Sequence, residues 1–81
     1  MIIDGKYKIT VINNETGKEH NSEDSVLFLA KDKQVPGMIN DYIERCKKAG
    51  CTKEFLKSIS QLKKDVVIWQ KEHKDVVRNA D

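Results

Sequence analysis

TKEFLKSISQLKKDVVIWQKEHK, residues 52–74, carries the longest unbroken periodicity in the chain. Phe55, Ile59, Leu62, Val66 and Trp69 recur at steps of four, three, four and three, the spacing that aligns side chains along one face of an α-helix. No glycine or proline interrupts the run, so it predicts one long amphipathic helix. Immediately upstream, Val35, Met38, Ile39, Tyr42, Ile43, Cys46 and Ala49 form a second apolar stripe of the same kind. Val35 precedes Pro36 and is pushed toward extended geometry. A helix therefore begins at or near Pro36, where the missing N–H of the ring removes nothing.

Gly50 ends this first helix in the position that favours left-handed backbone. That ending sets Cys46 three places before the last helical residue and Cys51 just past the glycine, the two positions that touch in a Schellman closure. Thr52 caps the second helix through its hydroxyl, and Glu54 in the first turn complements the macrodipole. So short a link makes the helices antiparallel neighbours. Their lengths differ: ~14 residues span roughly 21 Å, whereas a helix of about 21 exceeds 30 Å. Val35 then lies opposite Val66, and Trp69 and His73 project past the start of the first helix. Residues 26–30, the N-terminal hairpin or a second copy of the chain must cover them. The tail DVVRNAD could prolong the second helix through Val76 or fray.

The first thirty residues read as strands. In KYKITVI, Tyr7, Ile9 and Val11 alternate with polar residues, the period of a strand with one buried face. Asn13, Asn14 and Gly17 supply turn chemistry. A second, polar strand at 18–21 completes a β-hairpin as an exposed edge. VLFLA at 26–30 is apolar without alternation, which fits a strand covered on both sides, although a buried helical turn has the same pattern. The fold class is α+β: an N-terminal β-hairpin, with a possible third short strand, packed on an antiparallel two-helix hairpin. A single small domain results, with a β part at 1–34, a helical hairpin at 35–76 and a tail at 77–81.

At 81 residues the chain buries only about 60% of the surface its unfolded form exposes, so the core is thin and self-association would help it. Apolar residues make up 38% and charged ones 35%, a soluble globular composition. Neither a membrane span nor a signal peptide is visible, which points to the cytoplasm. The net charge of +2 is unevenly spread: five basic and six acidic groups occupy residues 1–34, ten and seven occupy 35–81. That bias permits a local anion site but does not call for nucleic acid. With two cysteines in an intracellular setting, reduced thiols are expected.

Established chemical motifs are missing. Zinc would need His20, Cys46, Cys51 and His73 to converge, yet His73 sits at the far end of the second helix from Cys51. Nothing brackets a nucleophile with a base and an orienting acid, and no paired carboxylates, phosphate loop or dinucleotide fingerprint occur. The expectation is a protein that is no enzyme and has neither metal nor cofactor. Arg45, Lys47, Lys48, Lys53 and Lys57 gather at the helical tip beside the free N–H groups of the second helix, a candidate anion site; a solvated charged face has the same composition. Trp69, the lone tryptophan, is a core residue, or if exposed a stacking platform or interface anchor.

The succession YKITVINNETGKEH, EDSVLFLAKDK and VPGMINDYIERCKKAG resembles small proteins encoded by bacteriophages. A β-hairpin followed by a helical hairpin also looks like phage anti-defence sponges of the anti-Thoeris and anti-CBASS type. That resemblance implies an oligomer that sequesters a cyclic nucleotide signal, and it carries over no individual site residue. The sequence reading is therefore a non-catalytic phage counter-defence protein in the host cytoplasm, holding a nucleotide-like ligand through Lys31, Lys33, Arg45, Lys48, Lys53 and Trp69. Two other readings stand beside it: an inhibitor module docking on a host defence protein, and a weak nucleic-acid binder.

Overall fold

The computed structural model describes residues 1–80 and contains, in chain order, β1 (Thr10–Ile12), β2 (Glu19–Asn21), α1 (Val35–Ala49) and α2 (Lys53–Glu72). The strands form an antiparallel hairpin in the register Thr10 to Asn21, Val11 to His20 and Ile12 to Glu19. The helices pack against one another, giving the α+β arrangement of a β-hairpin and a helical hairpin. Among the described residues no helix is long and apolar enough to cross a membrane.

The tip of the helical hairpin is built as its sequence requires. Gly50 adopts φ 79°, with its N–H on the Lys47 carbonyl at 3.2 Å and the Cys51 N–H on the Cys46 carbonyl at 3.0 Å, the two bonds of a Schellman closure. Cys46 is buried, Cys51 half-buried, and both are free thiols. Thr52 caps α2 by accepting from the Phe55 N–H at 3.1 Å.

Several elements depart from the sequence reading, each for a local reason. β1 begins at Thr10 instead of Lys6, because side chains have taken the backbone donors ahead of it. Asp4 Oδ1 accepts from Lys6 and Tyr7, and Ser22 Oγ accepts from Ile9 while donating to the Tyr7 carbonyl. No third strand forms among the described residues. Val26, Leu27 and Phe28 are exposed, and the Leu27 N–H is committed to Asp4 Oδ2 at 2.9 Å.

The helical hairpin ends at residue 72, short of Val76, because of His73. Continuing the helix would set the His73 N–H on the Trp69 carbonyl; instead that carbonyl accepts from His73 Nδ1 at 2.7 Å. The His73 N–H turns to Gln70 at 3.3 Å, tightening the last turn. A carbonyl only accepts, so Nδ1 carries the proton. Beyond it the tail is docked, not frayed. Lys33 donates its N–H to the Arg78 carbonyl (2.9 Å) and Arg78 its own to Lys31 (3.1 Å), a parallel bridge centred on Asp32 and Arg78.

No strand comes within 8 Å of a helix, Cα to Cα. The cover over the end of α2 comes from the segment after Leu29: the Gln70 side-chain amide donates to the carbonyls of Ala30 and Asp32, both at 2.9 Å. Trp69 and His73 are half-buried and stack with ring centroids 4.0 Å apart. The buried core is small, comprising Ile9, Val35, Ile43 and Cys46, and α2 buries no residue fully.

Two glycines in the helical hairpin should respond to alanine with opposite sign, since a Cβ at either would meet nothing within 4 Å. Gly50→Ala forces a side chain into left-handed backbone and should cost about 1 kcal/mol. Gly37→Ala, inside the first turn of α1, should stabilise by roughly 0.5 kcal/mol. Urea midpoints of the two variants check both signs.

Candidate functional site

A cavity of about 340 Å³ opens where three irregular segments meet, lined by Lys6 and Tyr7, by residues 27–29 with Lys31 and Asp32, and by Arg78, Asn79 and Ala80. Its walls are held by polar ties, not by packing. Asp4 spans the first two segments, with one carboxylate oxygen on the amides of Lys6 and Tyr7 and the other on Leu27. The backbone bridge at Arg78 closes the third segment on the second, and Gln34 Nε2 donates to Asn79 Oδ1 at 2.8 Å. Gln70 anchors the whole to α2.

Among the described residues, Lys6, Lys31 and Arg78 line this cavity together with the carboxylate of Asp32. Tyr7 and Phe28 bring aromatic surface, and Lys6 Nζ lies 5.7 Å from the Tyr7 ring centroid. Cations beside flat apolar rings suit a ligand with an anionic group at one end and an aromatic one at the other. The Asp4 carboxyl is held below its ordinary range, first by the Leu27 N–H and next by that of Tyr7. On the hairpin, the His20 ring and then the Asn21 N–H hold Asp24 down to about 2.

A second, shallower groove of about 550 Å³ runs between the helices. Asn40, Ile43, Glu44 and Lys47 line it from α1, and Ser60, Lys63, Lys64, Val67 and Ile68 from α2. Lys47 is engaged by Glu44 at 3.3 Å.

Of the residues singled out in the sequence, Lys31 lines the cavity. Lys33 is exposed beside it and contributes through its backbone N–H. Arg45, Lys48 and Lys53 are exposed at the helical tip and line neither the cavity nor the groove. Trp69 lies outside both as well, its ring occupied by His73. Sequence reasoning missed Lys6, Tyr7, Phe28 and Arg78, which only the tertiary fold brings together. Gln70 did leave a trace: it is a polar residue four places after Val66 on the apolar seam, where a side-chain donor needs a buried partner.

Compared with protein-family models, curated proteins and solved structures, the chain matches none.

Because the folded pKa of Asp4 is depressed, its ties are present above the ordinary carboxylate range and are lost as pH falls through and below it. Amide exchange at Tyr7 and Leu27 should therefore be slower in the wild type than in Asp4→Ala above about pH 5. The difference should close on acidification, and a pH-independent difference would contradict the assigned role.

Proposed function

We propose that this protein is a non-catalytic binder of a nucleotide-like small molecule, taken up in the cavity between the N-terminal segment, the interhairpin linker and the tail. One observation carries the reading: Lys6, Lys31 and Arg78 share that cavity with Tyr7 and Phe28. Lys31 and Arg78 would take the phosphate, Arg78 with the fork geometry that suits it, and the two rings would flank the base. At about 340 Å³ the space falls at the lower end of small-ligand sites, the size class of a mononucleotide or one half of a dinucleotide.

The resemblance of the sequence to phage anti-defence sponges supports a role in sequestration: the protein lowers the free concentration of a host signalling nucleotide in the cytoplasm without transforming it. A second reading, docking on a host defence protein, draws on the exposed Ile2, Ile3, Val26 and Phe28.

Thermal unfolding against linear and cyclic mono- and dinucleotides decides between them. A ligand at a hundred times its Kd adds about 2.7 kcal/mol, which raises Tm by roughly 10 °C or more in a domain of this size. Lys31→Glu and Arg78→Glu should each weaken that ligand at least about tenfold, because both residues serve the fold through their backbone and the charge through their side chain. No stabilisation by any nucleotide, together with one stoichiometric protein partner in pull-downs, would replace the proposal with the docking reading.

A further inference from the structure

The helical hairpin has two sides of opposite character. Tyr42 and Phe55 meet edge to face with ring centroids 6.3 Å apart. Met38 lies one turn from Tyr42 and Leu62 two turns from Phe55, so helix geometry sets all four on the same side. Every one of them is exposed, Tyr42 and Leu62 to 50% each. The groove on the other side carries Lys47, Lys63 and Lys64 with Glu44 as its carboxylate. No strand lies within 8 Å of either helix, Cα to Cα.

A single chain leaves too much surface open. Its accessible area is 6768 Å², against about 5,000 Å² for a compact protein of 9.3 kDa. Likewise its radius of gyration is 14.2 Å, against about 12 Å for a compact chain of this length. The surplus of roughly 1,800 Å² exceeds the ~800 Å² that each partner contributes to a stable dimer. We propose that a second copy of this chain covers the face formed by Met38, Tyr42, Phe55 and Leu62, so that two helical hairpins combine into a four-helix bundle.

Charge selects a second copy and selects this side. A two-fold interface brings a patch against itself, and a patch of one sign then repels itself. That disfavours the groove, where three lysines outnumber the one carboxylate, Glu44. Around the aromatic face the nearest charges along the helices are Asp41, Arg45 and Asp65, of both signs. None of the four face residues lines the cavity between the N-terminal segment and the tail, so self-association and ligand capture fail or succeed independently.

Sedimentation velocity from about 1 µM to about 100 µM, the range over which a micromolar dimer titrates, tests the proposal. The expected species has twice the 9.3 kDa chain mass, with a Tm that rises with concentration. Leu62→Asp should keep the helical circular dichroism and weaken association roughly thirty-fold or more. If it loses that signal, Met38→Lys at the same face takes its place with the same expectation. Lys64→Glu, on the opposite side, should leave the dimer intact. A wild-type chain that stays monomeric throughout overturns the proposal, including the case in which the face binds a different protein. A dimer indifferent to the face variants, or one dissociated by Lys64→Glu, overturns the assigned face.

Discussion

One primary amide ties the linker between the two hairpins across the end of α2. No strand comes within 8 Å of a helix, Cα to Cα, and the Gln70 side chain holds the linker between the two hairpins by donating to Ala30 and Asp32 together. Those two bonds fix the linker across the end of α2. The fixed linker gives the tail an edge to pair with, and the paired tail closes the cavity. Had the amide been replaced by an apolar side chain, the Ala30 carbonyl would have lost this donor and the Asp32 carbonyl would have kept only the Val35 N–H at 3.1 Å.

That dependence on polar ties follows from size. Four buried apolar side chains cannot supply what a larger core does, and hydrogen bonds contribute modestly once exchange with water is counted. The molecule therefore places its directional bonds where packing is thinnest: Asp4, Ser22 and Gln70 each hold two or more backbone groups, at least one of them in a distant segment. Apolar packing is concentrated between the helices, and even there one flank stays open.

The helices were legible because each carries a dense apolar stripe between unambiguous ends; Pro36, Gly50 and Thr52 act through local geometry that sequence states directly. The hairpin turn was legible for the same reason, since Asn13 and Gly17 do their work within a few residues. Residues 26–30 misled because an apolar run shows hydrophobicity but not whether a neighbouring strand exists to pair with it. The end of α2 was misread because the deciding group is the ring nitrogen of His73, whose competition with its own backbone for the Trp69 carbonyl leaves no periodic signal. Of the cavity lining, the sequence singled out Lys31 and not its companions. Cations adjacent in sequence at a helical tip spread over a convex surface, whereas the concave cluster draws Lys6, Lys31 and Arg78 from opposite ends of the chain.

The bridge between residues 31–33 and Arg78 is made wholly of main-chain groups. These bonds place no demand on the side chains of Lys31 and Arg78. On the proposed function, substitutions at these two positions would change the preferred anion while the hydrogen bonds that locate them persist. Such separation of frame from contact would let specificity change faster than fold.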